Sequence, residues 1–200
     1  MTYKKERGMG MELKIPENFF VGAAMSGPQT EGAYKTGGRL ESIWDTWSDL
    51  SISDFYNKVG SYVGNNFYEK YEDDIKLLKS LHMDSFRTSM QWSRLLTKDG
   101  KLNQEGAQFY HKVCKCAKEN QIELFMNLYH FDMPTYLFER GGWESRDVVE
   151  AYAAYARAAF REFGSEIRYW FTFNEPIVEP DQRYRNGFWY PFIKDAKRGM

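Results

Sequence analysis

The feature that most constrains this chain is an alternation of short apolar runs with longer stretches of helical period. Phe19 to Met25 (FFVGAAM) reads as a strand, with Gly22 suited to a close backbone approach. Asn65 to Leu81 then reads as a helix, with Phe67, Tyr71, Ile75 and Leu78 along one face. Asp84 to Met90 alternates as a strand does. Gln104 to Asn120 is the second helix, with Asn103 as N-cap, Glu105 in the first turn and Phe109, Val113 and Ala117 as the stripe. Ile122 to Tyr129 is a strand. Arg146 to Phe163 is the third helix, capped by Ser145 and stopped by Gly164, with Val149, Tyr152, Ala156, Ala159 and Phe163 on one face. Tyr169 to Phe173 is the fourth strand.

This β-α-β-α-β-α-β order predicts an α/β fold, a parallel sheet with helices outside it. A doubly wound sheet and a (β/α)8 barrel both have that pattern. The first connection carries no G-x-G-x-x-G. Its Gly37-Gly38 pair lies far from the strand and opens no helix, so the nucleotide-binding reading is weak. A barrel takes about 250 residues. The 200 residues here supply four strands, about half of one.

Composition narrows the function classes. Apolar residues make up 42% and charged residues 28%, which excludes disorder, collagen and coiled coil. Lys and Arg number 27 against 28 Asp and Glu, so there is no electrostatic footprint for nucleic acid or an anionic membrane surface. No apolar run is long enough for a membrane span. The first residues, MTYKKERGMGMELK, lack the apolar core of a secretory signal. Residues 1–14 read as a lead-in and 15–200 as the barrel-forming unit. Cys114 and Cys116, two apart on a helix, face different ways and read as reduced thiols, which makes the cytoplasm the expected location. Oligomeric state is left open.

Catalytic groups of a barrel sit at the C-terminal strand ends. Strand one is followed by Gln29 and Glu31. Strand two contains Arg87 and Ser89 and runs on to Trp92 and Arg94. Strand three ends in Tyr129-His130-Phe131-Asp132-Met133-Pro134, and strand four in Asn174-Glu175-Pro176. Polar and ionisable groups at the same end of mostly apolar strands are hard to explain as packing. Glu175, beside Trp170, Phe171 and Phe173, is expected to be partly desolvated, and desolvation raises a Glu pKa toward that of a general acid. Asn174 can hydrogen-bond a sugar hydroxyl, and His130 reads as a ligand contact. A metal site of His130, Asp132 and Glu175 is a weaker alternative, with no tight His cluster behind it. Arg87, inside a strand, needs a carboxylate partner, either in the site or in a structural ion pair. Arg94 reads as structural. Trp44-Trp47 and the Tyr184-Phe188-Trp189-Tyr190 run are sugar platforms or packing.

Together these motifs carry a resemblance. IPENFFVGAAMSGPQTEGAY, SFRTSMQWSRLL, NLYHFDMP, RGGW and WFTFNEP run in the order of glycoside hydrolase family 1, the β-glucosidase and 6-phospho-β-glucosidase family. The likeness covers nearly the whole chain, from about Ile15 to Met200, and matches the N-terminal part of that family. It implies a (β/α)8 TIM barrel, of which these residues are about the first four βα units. It implies retaining hydrolysis of β-glycosidic bonds by two carboxylates. By that resemblance Glu175 is the general acid/base, and Asn174 binds the glycone 2-hydroxyl. Gln29 and His130 hold hydroxyls on the far side of the ring, and Arg87 orients the nucleophile. No metal or cofactor is implied.

Two departures stand out. Phe131 occupies a position where the family commonly has Trp, which keeps a ring face and loses an indole N–H. No Glu is followed by Asn-Gly, the family's nucleophile segment, and Asn186-Gly187 follows Arg185. The chain as written is therefore expected to lack the normal double displacement and to be a fragment of the parent enzyme. GAAMSGPQTEGAY and FNEPIVEP look closest to bacterial 6-phospho-β-glucosidases, so the expected ligand is a small-molecule β-glycoside, foremost a phosphorylated disaccharide. An unphosphorylated β-glucoside, a non-catalytic sugar-binding fragment and a metal-dependent barrel enzyme are the alternatives.

Overall fold

The computed structural model describes residues 14–199. The expected lead-in over residues 1–14 falls, apart from Lys14, outside the described residues. Four strands lie in sequence order in one parallel sheet: β1 (Gly22–Ala24), β2 (Ser85–Ser89), β3 (Glu123–Tyr129) and β4 (Tyr169–Phe173). Each new strand adds beside the last. A doubly wound sheet reverses its order, and this one does not, so the four units are those of a (β/α)8 barrel.

Three long helices connect the strands: α3 (Phe67–Ser80), α5 (Gln104–Glu119) and α7 (Arg146–Phe163). Shorter helices fill the rim: α1 (Gly27–Thr30), α2 (Ile43–Leu50), α4 (Trp92–Leu95), α6 (Thr135–Phe138) and α8 (Val178–Pro180). The sheet's two faces carry different chemistry. Phe86, Leu124, Met126 and Leu128 point toward the helices and join one buried core with Ile75, Val113 and Phe163. On the other face Phe125 stacks on Tyr169 (4.6 Å between centroids), with Phe20 edge-on at 5.2 Å.

Several boundaries differ from the expectation, each for a local reason. β1 covers three residues rather than seven. The Asp84 carboxylate accepts the Val21 N–H (2.7 Å), which takes that amide out of the ladder, and Phe19 N–H closes a turn onto Pro16 O. Gly22 is needed as expected, because a Cβ there would lie 2.1 Å from Ser85 O. Asn103 does precede α5, but its side chain makes no capping bond. It donates instead to Gly37 O (2.7 Å) and Arg94 O (2.9 Å). Ser145 also makes no side-chain cap, and Gly164 ends α7 in the right-handed region (φ −63°), where it is the approach to Phe160 O, 2.5 Å from where a Cβ would lie, that favours glycine. The α7 stripe is rotated. Val148, Tyr155, Ala159 and Phe163 are its buried line, and Tyr152 and Ala156 are only half-buried. Tyr155 sets the phase. It stacks on Trp92 at 5.3 Å, and its hydroxyl donates to Leu128 O (2.9 Å) or Met90 O (3.1 Å).

α3 and α5 both end in the same closure. Met83 N–H reaches Leu78 O and His82 N–H reaches Lys79 O. Ile122 N–H reaches Ala117 O and Gln121 N–H reaches Lys118 O. This is the Schellman arrangement, which puts the residue after the cap in the left-handed region where glycine is usual. Here His82 (φ 59°) and Gln121 (φ 56°) hold those places. Left-handed backbone costs a side-chain-bearing residue about 1–2 kcal/mol, partly offset by the greater unfolded-chain entropy of glycine. His82→Gly and Gln121→Gly should each stabilise the protein by about 0.5 kcal/mol. A higher thermal midpoint for the double variant is the expected result, and a lower one contradicts the account.

Candidate active site

The C-terminal rim is built one strand exit at a time. After β1 the chain turns at once into α1. Gly27 N–H donates to Ser89 Oγ (2.8 Å), and a Cβ on Gly27 would meet Gln91 Cγ at 2.7 Å. The turn presents Gln29, exposed, with Oε1 accepting from Ser26 Oγ (2.7 Å). Glu31, two residues on, is not a site group. It is buried in an ion pair with Arg94 (2.7 Å) and also accepts from Gln91 Nε2 (2.7 Å) and the Tyr110 hydroxyl (2.8 Å). Arg94 is thus structural, as the sequence suggests.

Arg87 on β2 is half-buried and reaches across the sheet. Its Nη2 donates to Asn174 Oδ1 at 2.7 Å, and its guanidinium lies over the Phe171 ring at 5.4 Å. Among the described residues it forms no ion pair, and its polar partner there is the Asn174 amide. The sequence reading did not foresee that Asn174, 87 residues away, would be its partner.

His130 follows β3 and is nine-tenths buried, with Nδ1 buried and unpartnered. Burial, and then the positive charge of Arg87, push its imidazole down to about 4. The ring is therefore neutral at ordinary pH and free to exchange hydrogen bonds with a hydroxyl. His130 and Gln29 line one cavity of about 290 Å³ with Pro28, Trp44 and Phe131. Arg87 and Asn174 form a second cluster.

Asp132 serves the backbone. It is fully buried, and its two oxygens accept the N–H groups of Trp92 (2.9 Å) and His130 (3.0 Å). Burial pushes its carboxyl up to about 7, against the pull of those two bonds. Both oxygens accept backbone N–H groups, which leaves Glu175 as the one unengaged carboxylate of the weaker His130–Asp132–Glu175 metal alternative. No group of three His, Cys, Asp or Glu among the described residues is arranged for a metal ion.

β4 ends in Asn174, whose N–H donates to Tyr129 O (2.9 Å), and Glu175, whose backbone is left-handed at φ 43°. The left-handed turn carries Glu175 out of the strand's alternation. The aromatic surround expected from sequence is divided. Trp170 turns to the helices, donating to Ile167 O (3.0 Å) and packing on Phe160. Phe171 and Phe173 lie open, 43% and 37% exposed. Glu175 is itself exposed.

The tryptophans pack on one another. Trp44 stacks on Trp47 (5.2 Å, 22°), and Trp189 abuts both Trp44 and Phe131 at 5.2 Å. Two buried networks escaped the sequence reading. One is Arg39–Asp45 (2.8 Å), where Asp45 also completes a capping box with Ser42 at the start of α2. The S-x-x-D spacing at Ser42 was its available signal. The other, around Glu179, was signalled only by the i,i+4 spacing of Glu179 and Arg183.

Four βα units with hydrogen-bonding and ionisable groups gathered at one rim define half of a (β/α)8 enzyme barrel. The family model for glycosyl hydrolase family 1 matches residues 11–199, and the chain belongs to that family. It is 41% identical over 190 residues to the 6-phospho-beta-glucosidase GmuD of Bacillus subtilis (strain 168), covering 94% of this chain and 41% of that protein. It is 35% identical to beta-glucosidase A of Acetivibrio thermocellus, covering 94% and 42%. Among solved structures, a rice Os3BGlu6 beta-glucosidase superposes with a TM-score of 0.84 at 35% identity, covering 89% of this chain and 37% of that one. An aphid myrosinase superposes at 0.88 with 28% identity, covering 94% and 41%. The chain thus spans about two-fifths of the length of the relatives it matches. No helix among the described residues is long and apolar enough to cross a membrane.

The buried neutral imidazole has a stability consequence. The folded-state value of about 4 lies below the ordinary 6.5. Stability present above pH 6.5 is therefore lost as pH falls toward 4, because the unfolded chain binds the proton first. Between pH 7 and pH 5 the protein should lose about 1 kcal/mol more than the His130→Gln variant, allowing for solvent at the ring's open edge. Urea unfolding at the two pH values reads this difference. Equal losses would mean that His130 is not held neutral.

Proposed function

We propose that these residues supply the acid/base half of a retaining β-glycosidase. The observation that carries the reading is the β4 exit, where Asn174 accepts from Arg87 at 2.7 Å and Glu175 follows it in the chain, with Gln29 and His130 on one neighbouring cavity. Glu175 donates its proton to the glycosidic oxygen while a second carboxylate attacks the anomeric carbon. The glycosyl-enzyme bond forms as the aglycone leaves. Glu175, now a carboxylate, takes a proton from the incoming water, whose oxygen displaces the enzyme carboxylate. That second carboxylate belongs to the remainder of the barrel in the whole protein. Asn174 meets the 2-hydroxyl beside the reacting carbon. Gln29 and the neutral His130 take hydroxyls at the far side of the ring, and Arg87 places positive charge near the nucleophile.

The substrate reading is a 6-phospho-β-glucoside. Its support is the 41% identity to a protein named as a 6-phospho-beta-glucosidase, against 35% for beta-glucosidase A over the same length. A phosphorylated disaccharide is an intracellular compound, and the reading carries a cytoplasmic location with it. An unphosphorylated β-glucoside is the second reading, favoured by the superposition on the rice beta-glucosidase.

Glu175→Gln in the complete protein should lower kcat/KM, which reads the step that expels the leaving group, by about 10²–10⁴ on glycosides with poor leaving groups. Activated aryl glycosides, which need less protonation, should lose far less. Equal loss on both classes counts against the acid role. In the same assay the 6-phosphorylated aryl glucoside should exceed its unphosphorylated counterpart in kcat/KM by at least tenfold. The reverse order assigns the enzyme to plain β-glucosides.

A further inference from the structure

Four residues beyond Glu175 stands a second carboxylate that the reading above leaves without a task. Glu179 is buried. Its Oε1 accepts from the Tyr129 hydroxyl (2.9 Å) and Arg183 Nε (2.8 Å), and its Oε2 accepts from Trp143 Nε1 (3.3 Å). Each partner belongs to the structure around Glu175. Tyr129 is the last residue of β3 and pairs in register with Phe173, and its carbonyl accepts the Asn174 N–H. Arg183 donates to the Tyr190 carbonyl, and its guanidinium lies over the rings of Phe138 (5.5 Å) and Trp189 (5.7 Å). Trp189 in turn packs edge-on against Phe131, the residue after His130.

Desolvating a carboxylate is costly unless its geometry is well satisfied, and here three donors converge on one. The place where this happens is informative. Glu175 is exposed and makes no side-chain hydrogen bond to another described residue, so what this part of the chain fixes is its backbone, and with it the Cα–Cβ direction from which the carboxyl extends. That backbone is left-handed, a conformation that persists only where the surroundings hold it. Upstream it is fixed by Asn174 N–H on Tyr129 O. Downstream, Val178 N–H returns to Glu175 O (2.9 Å), and Glu179 pins the following turn to the same Tyr129. One residue, Tyr129, therefore anchors both sides of Glu175, by its carbonyl before and its hydroxyl after.

We propose that Glu179 is a positioning residue for the general acid: through Tyr129, Trp143 and Arg183 it holds the turn that aims Glu175 at the leaving-group oxygen. The proposal rests on the acid role of Glu175. Since a misplacement of about 1 Å can cost about a hundredfold, loosening this turn should penalise the proton transfer and spare the binding of the sugar.

The test uses the complete protein with Glu179→Gln, which nearly keeps the volume. A second variant, Glu179→Gln with Arg183→Met, removes both charges together and leaves no lone buried one. Glu175→Gln is assayed beside them. Folded fraction is set by circular dichroism, and kcat and KM are measured on a poor-leaving-group glycoside and on a dinitrophenyl glycoside. The expected result is a fall in kcat/KM, which reads the glycosylation step alone, of about tenfold or more on the poor leaving group. On the dinitrophenyl substrate the fall in kcat/KM should be under threefold, because the base role of Glu175 acts only in the later hydrolysis of the glycosyl-enzyme. Equal losses of kcat/KM on the two substrates, or no loss on either, would each overturn the positioning role while Glu175→Gln still discriminates between leaving groups. If Glu175→Gln itself fails to discriminate, the acid assignment falls, and this role with it.

Discussion

The rim depends on one buried ion pair. Glu31 comes from the β1 exit and Arg94 from the β2 exit, and they meet at 2.7 Å with both side chains almost wholly out of solvent. Such a pair gains little net stability, but either partner alone would be a buried, uncompensated charge. Most of the remaining donors and acceptors are therefore committed. Arg94 donates to Gly32 O and Thr36 O (3.1 Å each), and Glu31 takes Gln91 and the Tyr110 hydroxyl. Asn103 then bridges Gly37 O and Arg94 O, and Gly106 must be glycine, because a Cβ would lie 2.1 Å from Arg94 O. Two strand exits and one helix are locked into a single arrangement. Gln29 thus stands exposed on a turn whose neighbours are buried and bonded.

The other two exits follow the same logic with different groups. Asp132 spends both oxygens on the amides of Trp92 and His130, which ties the β3 exit to the β2 exit. Glu179 closes on Tyr129, Trp143 and Arg183, which ties the β4 exit to β3. The left-handed residues at these exits, Phe131 at φ 65° and Glu175 at φ 43°, are held in a conformation that costs of order 1–3 kcal/mol each. Buried carboxylates hold the exits together, and the exposed or cavity-lining groups are the ones proposed to meet a ligand. Glu31, Asp132 and Glu179 belong to the first kind, and Gln29, His130, Asn174 and Glu175 to the second.

That division is where the sequence reading was least able to see. It recognised that each strand ended in polar groups, but a Glu at a strand end looks the same whether it holds structure or faces substrate. Glu31 and Asp132 were set beside Glu175 for that reason. Periodicity had similar limits. The α7 boundaries follow from its sequence, yet its buried line is rotated, because Tyr155 and Tyr152 are equally apolar in pattern. Only Trp92 and the carbonyls of Met90 and Leu128 decide which turns inward. β1 was overextended because FFVGAAM is apolar throughout, and nothing local says that Asp84 takes the Val21 amide.

What the sequence determined by itself was the order of elements, the parallel sheet and the family. These rest on local properties that survive without neighbours: apolar period, turn residues and motif spacing. Periodicity alone left barrel and doubly wound sheet open, and the family resemblance chose the barrel; the Arg87–Asn174 contact and the sorting of carboxylates into props and candidates were decided only in the folded chain. Each depends on groups 40 to 87 residues apart, and no local pattern encodes which distant donor will satisfy a buried acceptor.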